Sequence, residues 1–314
     1  MRKKLFERWP QNPLFTRDDW PYSVNTVFNP GATSAPNGYT LLLARVEDLR
    51  GVSHLCPLRS QDGKSHWQIE EEYRFLPRPK DFPEEAWGIE DPRVTHLEDR
   101  QEYAVLYTAY SQRGPLVSLA LTKDFRSYER IGPITCPENK DAALFPKRIG
   151  GRYAMLHRPL TGGFGANIWI SYSPDLRHWG DHREVISGRS GPFWDAGKIG
   201  LNAQPLECDD GWLICYHGVR NHCSGAIYRL GLAMLDREDP TRVLSRSDEW
   251  VFGPYEDYEM VGDVGGVVFP CGWILDEQSG ELRLYYGAAD SCIAMAYAPI
   301  EEVLKLLRAN PLRC

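Results

Sequence analysis

The sequence lacks the features that define several large classes of protein. None of its apolar runs approaches the roughly 20 residues that a membrane-spanning helix needs. The basic start, MRKKLFERWPQNP, is not followed by the apolar segment of a secretory signal, so we expect a cytoplasmic protein that binds no membrane. Lys and Arg total 36 and Asp and Glu total 43, which gives a net charge of −7. This charge argues against general binding of nucleic acid, and any bound anion would need a local cluster of cations.

Several motifs for metal, nucleophile and nucleotide chemistry are also absent. The sequence contains no HExxH, no CxxC pair and no calcium-binding loop, and we therefore expect no metal. It contains no GxSxG elbow and no P-loop. The eight cysteines are scattered through 314 residues, a chain too long to depend on a disulfide scaffold. We expect reduced, mostly buried thiols.

Aromatic residues and turn formers are abundant. Phe, Trp and Tyr make up 12% of the chain, and 28 Gly and 23 Pro indicate many turns. Aromatic side chains favour β-strands, and their flat rings can cover the apolar face of a pyranose. Hydrophobic residues at 42% and charged residues at 25% are typical of a globular protein and exclude a mainly disordered chain.

Five short apolar-aromatic runs resemble one another, and most of them follow a turn such as PNG, GG or DDG. These runs are Tyr39–Glu47, Tyr103–Tyr110, Tyr153–Arg158, Trp212–Gly218 and Leu282–Asp290. Their first residues are 64, 50, 59 and 70 positions apart, which is room for about four strands in each unit. The pattern predicts an all-β fold, a five-bladed β-propeller, whose closed ring protects strand edges.

The chain shows no linker or low-complexity segment, and we expect a single catalytic domain over residues 1–314 with an N-terminal arm at about 1–20. Helix is scarce. The best candidate is a short C-terminal helix at about 299–309, where Ile300, Val303, Leu304 and Leu307 follow helical spacing. Pro299 at its start is compatible with a helix N-terminus.

The segment Gly88-Ile-Glu-Asp-Pro-Arg93 places two carboxylates and an arginine before a strand. Pro92 is expected to bias Asp91 toward an extended backbone. The segment is compatible with a turn that carries a surface ion pair. It is equally compatible with a catalytic acid, Asp91, held rigidly by the proline and a neighbouring cation.

Lys140, Arg158 and His217 occupy related positions of the third and fourth repeats. Equivalent strand ends of a propeller converge on its central channel, so these three side chains could face one point. Three such donors around a small space would bind a phosphate or a carboxylate. The alternative is that they are unrelated surface residues, or in the case of His217 a hydrogen-bonded histidine of the core.

Other polar residues lie within apolar or aromatic surroundings and are candidates for binding sugar hydroxyls. Asn29, Arg45 and Arg59 belong to otherwise apolar strands, and their side chains have the geometry for hydroxyl recognition. Asp263 and Asp290 are single carboxylates in glycine-rich segments that could hold sugar hydroxyls or cap a turn.

Many segments, in order, resemble glycoside hydrolase family 130, which contains the β-mannoside phosphorylases. They extend from about Asn12 to Leu304 and include GVSHLCPLRSQDG, GIEDPRVT, KDAALFPKRIGGRYAMLHRP, WDAGKIGLNAQP, YRLGLAMLD and GDVGGVVFPCG. The resemblance implies a five-bladed propeller and an inverting reaction. In that reaction a β-mannoside and inorganic phosphate give α-mannose 1-phosphate and a shortened acceptor. Phosphate would be a co-substrate, with no cofactor.

The resemblance also implies roles for individual residues. Asp91 matches the proton donor, which in the family is thought to act through the 3-hydroxyl of the transferred mannose. Lys140, Arg158 and His217 match phosphate-binding positions, the first of which is commonly an arginine. Asn29, Arg45 and Asp290 match sugar-contacting positions, and we add Tyr228, of the segment YRLGLAMLD, to the substrate-binding candidates.

Three alternatives remain open at this stage. A hydrolase of the same family would lack the phosphate cluster and use carboxylate bases. A non-catalytic sugar-binding propeller would not need a buried acid. An arabinan- or fructan-type propeller hydrolase would need a carboxylate on each of three blades. The sequence does not define the linkage, the acceptor sugar or the chain length, and the resemblance leaves a homo-oligomer open.

Overall fold

The computed structural model describes residues 5–35, 38–161, 165–222 and 225–312. Its strands form five antiparallel sheets, and within each sheet the strands follow largely in sequence order from the innermost outward. The innermost strands of neighbouring sheets contact one another in four of the five pairs, and an apolar cluster joins the remaining pair, so the sheets surround a centre. The protein is therefore a five-bladed β-propeller, and the predicted fold is confirmed.

The first strand and the first two blades occupy the N-terminal part of the chain. Strand β1 (Glu7–Arg8) precedes blade 1. Blade 1 contains β2 (Thr26–Ser34), β3 (Thr40–Glu47), β4 (Ser53–Ser60) and β5 (Gln68–Ile69). Blade 2 contains β6 (Ile89–Leu97), β7 (Glu102–Ser111), β8 (Gly114–Thr122) and β9 (Glu129–Pro133).

The remaining three blades follow in the same manner. Blade 3 contains β10 (Asn139–Leu144), β11 (Tyr153–Pro159), β12 (Ile168–Ser173) and β13 (Gly180–Ile186). Blade 4 contains β14 (Lys198–Leu201), β15 (Leu206–Cys208), β16 (Gly211–His222), β17 (Gly225–Leu235) and β18 (Val243–Arg246). Blade 5 contains β19 (Val268–Asp276), β20 (Glu281–Ala288) and β21 (Cys292–Pro299).

Strand β1 completes blade 5 and closes the ring. It pairs antiparallel with β21, so the outermost strand of the last blade comes from the start of the chain. Arg8 of β1 donates hydrogen bonds from Nε and Nη2 to the fully buried carboxylate of Glu259, at 2.8 and 2.6 Å. The predicted N-terminal arm thus contributes a strand to the propeller, and residues 1–4 lie outside the described part of the chain.

Five apolar clusters fill the gaps between neighbouring blades. Strand β3 shows how the sequence produces them: Leu41 and Leu43 pack toward blade 2, and Leu42 and Ala44 pack toward blade 5. Because each blade is covered on both faces, its central strands read as continuous apolar runs and not as alternating ones. All five predicted repeats are the second strand of a blade; they correspond to β3, β7, β11, β16 and β20.

Two α-helices are found among the described residues. Helix α1 (Asp257–Met260) is a single turn, and α2 (Ile300–Arg308) is the predicted C-terminal helix, with Pro299 as its N-cap. Neither has the length and apolar character needed to cross a membrane, within the ranges that the structure describes. The cysteines in these ranges are free thiols, and Cys223 and Cys314 lie outside them.

Candidate active site

The innermost strands of blades 1, 2 and 3 share a bulge near their start. In β2, β6 and β10 the pairing with the second strand of the blade slips by one residue. The bulges contain Asn29, Asp91 and Asp141, whose φ angles are 44°, 48° and 54°. Asn and Asp tolerate this left-handed region better than other non-glycine residues. A bulge re-aims a side chain, and here it brings one polar group from each blade to a common centre.

The expected extended backbone of Asp91 is wrong. Pro92 does disfavour the right-handed helical region for the preceding residue, but the bulge takes Asp91 to positive φ instead. Asn29 also precedes a proline and adopts the same conformation. The strand irregularity, which sequence patterns do not reveal, outweighs the local preference.

The buried Asp91 carboxylate is bound on one oxygen. Its Oδ1 accepts hydrogen bonds from Asn29 Nδ2 at 2.9 Å and from Arg45 Nη1 at 3.0 Å. Arg45 Nε donates to Ser53 Oγ at 2.9 Å, and Arg45 Nη2 lies 3.1 Å from Glu90 Oε1. Among the described residues, the side-chain contacts of Asp91 all reach Oδ1, which leaves Oδ2 available to a ligand.

The pKa values of two adjacent carboxyl groups, Asp91 and Glu90, are shifted in opposite directions. Burial by itself would raise the pKa of Asp91, but the guanidinium groups of Arg45 and Arg93, the Lys140 ammonium and the Asn29 hydrogen bond hold it below its usual value. For Glu90, burial dominates and raises its pKa; Arg45 opposes this rise and the Asp91 carboxylate adds to it. The site therefore contains an anionic Asp91 next to a carboxyl group that accepts protons more readily.

Asp141 is the centre of a second cluster. Its Oδ2 accepts a hydrogen bond from Arg158 Nε at 2.7 Å and lies 3.7 Å from His217 Nε2, and its Oδ1 lies 3.4 Å from Arg93 Nη2. Burial disfavours the ionised form, yet the guanidinium group of Arg158, the neighbouring His217 imidazole and the charge of Arg93 keep the pKa of Asp141 well below its usual range. A side chain at Gly200 would overlap both Asp141 and His217, so this glycine is required by close packing.

His217 is a neutral imidazole near pH 7. Burial lowers its pKa to about 3; Asp141 opposes this shift, whereas Arg158, Lys198 and Arg93 reinforce it. Its Nδ1 is buried and has no hydrogen-bond partner among the described residues. From the sequence, His217 was expected to be a potential cation. In the structure it is a neutral imidazole near three cations, Arg158, Lys198 and Arg93, and a bound anion would favour its protonation.

Two lysines lie close to these clusters. Lys140 is paired with Arg158 across β10 and β11, and its charge contributes to lowering the pKa values of both Asp91 and Asp141. Lys198 begins β14, and its Nζ lies 5.4 Å from the centre of the Tyr228 ring. The structure thus places Lys140, Arg158 and His217 around one region, together with Lys198.

Asp290 and Asp263 lie on the blade 5 side. Burial and the Asp91 charge raise the pKa of Asp290 to about 6, against the opposing effect of Arg45. The backbone carbonyl of Asp290 accepts a hydrogen bond from Thr26 Oγ1 at 2.7 Å. The exposed Asp263 accepts a hydrogen bond from Asn25 Nδ2 at 2.9 Å. The side chain of Asp290 therefore belongs to the Asp91 cluster, and Asp263 lies at its rim.

The two remaining candidates differ in their location. Tyr228 is next to His217, with ring centroids 5.7 Å apart. Arg59 is not brought to the cluster: its Nε donates to Glu70 Oε2 at 2.6 Å and its Nη2 to the Asp124 carbonyl at 2.7 Å. Arg59 is the cross-strand partner of Leu41, at the end of β4 away from Ser53. Its contacts with Glu70 and Asp124 therefore stabilise the fold at a distance from the cluster.

Asp141 and Lys198 were not predicted from the sequence, and Arg93 was recognised there only as a cation next to Asp91. Arg93 is almost fully buried and donates to the backbone carbonyls of Asp91, Leu201 and Asn202, so it joins the inner strands of blades 2 and 4. Asp141 could have been found, because Glu90-Asp91 and Lys140-Asp141 begin equivalent strands. No comparable pattern marks Lys198. No group of three or more potential metal ligands occurs within the described ranges.

The described residues form a five-bladed propeller with a cluster of buried polar groups on its innermost strands, and comparison with known proteins identifies the family. The model of glycoside hydrolase family 130, described as beta-1,4-mannooligosaccharide phosphorylase, matches residues 6–309. The chain therefore belongs to glycoside hydrolase family 130. This confirms the resemblance found in the sequence and the prediction of an enzyme of the glycosyltransferase-type phosphorylase class.

Individual relatives agree with this assignment. The chain is 35% identical to a beta-1,4-mannooligosaccharide phosphorylase of Ruminococcus albus, over 98% of this chain and 92% of the relative. It is 41% identical to a beta-1,2-mannobiose phosphorylase of Listeria innocua, over 83% of this chain and 71% of the relative. A Listeria innocua beta-1,2-mannobiose phosphorylase, solved in complex with beta-1,2-mannobiose, superposes with a TM-score of 0.87 at 33% identity, over 97% of this chain and 99% of that one.

Proposed function

We propose that this enzyme catalyses the inverting phosphorolysis of β-linked mannosides, with mannobiose, mannooligosaccharides or mannosyl-glucose as the substrate class. An oxygen of inorganic phosphate attacks C1 of the terminal mannose while the bond from C1 to the acceptor oxygen breaks. The acceptor oxygen takes up a proton, and the products are α-mannose 1-phosphate and a shortened acceptor. The observation that carries this proposal is the convergence of Arg158, His217 and Lys140 beside the buried Asp91.

The cationic cluster supplies what a phosphate nucleophile needs. Arg158 and His217 approach the same oxygen of Asp141, and Lys140 and Lys198 lie alongside. Charge-assisted hydrogen bonds hold a tetrahedral anion in a defined orientation, and the cations offset its charge as it approaches the anomeric carbon. A glycosidase that uses water needs a base to deprotonate it. Phosphate is already an anion, so one carboxyl group is sufficient.

Asp91 is the proposed proton donor. Its Oδ1 is fixed by Asn29 and Arg45, and its Oδ2 is free to contact a sugar hydroxyl. Proton transfer through the 3-hydroxyl of mannose would let Asp91 act without touching the glycosidic oxygen. The nearby Asp290 and Arg45 would bind other hydroxyls of the same sugar. The chemistry requires no metal or cofactor.

The low pKa of Asp91 fits this role when phosphate is present. Lys140 and Arg93 lower its pKa in the free enzyme. A phosphate anion in the adjacent cluster would offset these cations, and the pKa of Asp91 would rise. Phosphate binding would therefore favour the protonated donor, so that the acid forms in the complex that can react.

Relatives named as β-1,4- and β-1,2-mannoside phosphorylases both support the reaction class, and both linkages remain open for this chain. We also propose that the whole propeller acts as one catalytic domain, because both ends of the described chain contribute strands to blade 5. The cytoplasmic location stays a prediction.

The test is phosphorolysis of β-1,4- and β-1,2-mannobiose with and without phosphate. We expect sugar phosphate only when phosphate is present, and proton NMR of the first product should show the α anomer. Arg158→Ala should raise the phosphate KM about 10-fold to 100-fold, since one charge-assisted hydrogen bond contributes roughly 1.5–3 kcal/mol. The KM for the mannoside should change much less. Release of free mannose at the same rate without phosphate would instead indicate a hydrolase.

A further inference from the structure

Two exposed aromatic side chains stand at the start of blade 2. Trp87 is 47% exposed and Tyr110 is 36% exposed, although most aromatic residues that the structure describes pack, buried or partly buried, in the clusters between blades. Their ring centroids are 5.2 Å apart at an interplanar angle of 77°. The two rings thus form an edge-to-face pair that is open to solvent.

The backbone holds this pair in place. Trp87 N donates to the Tyr110 carbonyl at 2.8 Å, and Tyr110 N donates to the Gly88 carbonyl at 3.1 Å. These bonds continue the pairing of β6 and β7 beyond the start of β6. Gly88 has a φ of 116° and forms a bridge with Ser53, where any side chain would overlap the Ser53 backbone. The aromatic pair is therefore preorganised.

The pair is continuous with the candidate active site. Glu90 is the cross-strand partner of Thr108, and Tyr110 lies two positions further along the same strand, on the same face. Ser53, which forms the β-bridge with Gly88, also accepts a hydrogen bond from Arg45. Arg45 in turn donates a hydrogen bond to Asp91. Trp87 precedes Asp91 by four residues, so their Cα atoms are at most about 14 Å apart.

We propose that Trp87 and Tyr110 form a distal acceptor subsite for β-mannosides longer than a disaccharide. This inference rests on the proposed function. The rings would stack on the apolar face of a sugar that lies beyond the one bonded to the transferred mannose, because the pair is displaced from Asp91 along the strand. Two rings make a small patch, whereas a stable protein interface buries about 800 Å² on each partner.

The experiment compares chain lengths. Phosphorolysis rates of wild type, Trp87→Ala, Tyr110→Ala and Trp87→Phe are measured with β-1,4- and β-1,2-linked disaccharides, trisaccharides and tetrasaccharides. We expect Trp87→Ala and Tyr110→Ala to raise KM about 10-fold for the longer substrates and less than about 2-fold for the disaccharide. Trp87→Phe, which keeps a flat ring, should retain most of the affinity.

Trp250→Ala is the matched control. Trp250 is similarly exposed, at 46%, but follows β18, the outermost strand of blade 4, and has Arg229 over its ring. Its removal should leave all chain lengths unaffected. Equal losses for short and long substrates, or an altered oligomeric state of Trp87→Ala in light scattering, would overturn the subsite. Wild type that turns over no β-mannoside with phosphate would instead overturn the proposed function.

Discussion

Asp91 and Asp141 occupy equivalent bulges of blades 2 and 3, yet their surroundings differ. Both are buried, both have positive φ, and both begin the innermost strand of a blade. Asp141 uses both of its oxygens for fixed cations, Arg93 on Oδ1 and Arg158 on Oδ2. Asp91 has its contacts on Oδ1 alone, as far as the described residues show. The same type of β-bulge thus produces one carboxylate with both oxygens bound and one with contacts on a single oxygen.

This difference distinguishes a carboxylate that orients other side chains from a carboxylate that can react with the substrate. A carboxylate enclosed by cations keeps a low pKa and orients its partners, as Asp141 does for Arg158. A carboxylate with a free oxygen can exchange a proton with a substrate hydroxyl. Arg93 connects the two, since it donates to the Asp91 carbonyl and approaches the Asp141 carboxylate. A change of charge at one bulge therefore alters the electrostatic environment of the other.

The largest effect is expected for Asp91→Asn. The amide keeps the shape and can still contact Arg45, but it cannot supply a proton, so phosphorolysis should fall by about 10² to 10⁴. The thermal stability should fall less than for Asp141→Asn, because Arg45 keeps its ion pair with Glu90. Steady-state kinetics with saturating phosphate, together with a circular dichroism melt, measure both. Turnover near that of wild type would remove Asp91 from the mechanism.

Asp141→Asn should act mainly on stability. The substitution leaves Arg93 and Arg158 buried without their anion, and breaking a buried ion pair costs about 3 kcal/mol or more. Urea unfolding measures this loss. Inorganic phosphate should restore stability to the variant more than to wild type, because it can replace the missing negative charge.

Asp181→Asn is the control for this variant. Asp181 also has positive φ and pairs with an arginine, Arg152, but the pair is exposed. Exposed ion pairs contribute little because water screens them, so Asp181→Asn should unfold close to wild type. If Asp141→Asn were equally harmless, or if phosphate stabilised it less than wild type, the role of Asp141 as the built-in anion would be wrong.

The sequence revealed much of this architecture, but unevenly. The second strands of all five blades and helix α2 could be predicted because buried central strands and amphipathic helices have strong local patterns. Asp91, Arg158 and His217 were candidates because of their segment and their repeat positions, and the family resemblance implied their roles. Arg59 was included among the candidates only because it is a polar residue in an apolar strand. A residue whose side chain stabilises loops shows the same pattern.

The bulges could not be predicted in the same way. A bulge depends on how two strands pair, and neither strand records the extra residue alone. Pro92 suggested an extended Asp91, whereas the slipped pairing of β6 imposes positive φ. Asp141 was overlooked for a related reason, since its partners Arg93 and Arg158 come from two blades. Its equivalence to Asp91 is visible in the sequence, but its contacts with both arginines appear only when the ring is assembled.

The smallest predicted effect concerns Asp290, a third carboxyl group, whose pKa is raised and not lowered. Burial and the Asp91 charge raise its pKa from 3.8 to about 6. Between these pH values the folded state binds a proton that the unfolded state releases, so this group's contribution to stability is present below about pH 4 and is lost as pH rises through about 6. The loss is on the order of 1 kcal/mol once relaxation and solvent are allowed for.

Asp290→Asn should remove that loss. The difference in unfolding free energy between the variant and wild type, measured in urea at several pH values, should move in favour of the variant from about pH 4 to about pH 7. Asp141 behaves in the opposite sense, because its lowered pKa gives stability that is lost only in acid. If the difference in unfolding free energy did not change across this pH range, folding would not raise the pKa of Asp290. The contrast among the three carboxyl groups would then reduce to that between Asp91 and Asp141.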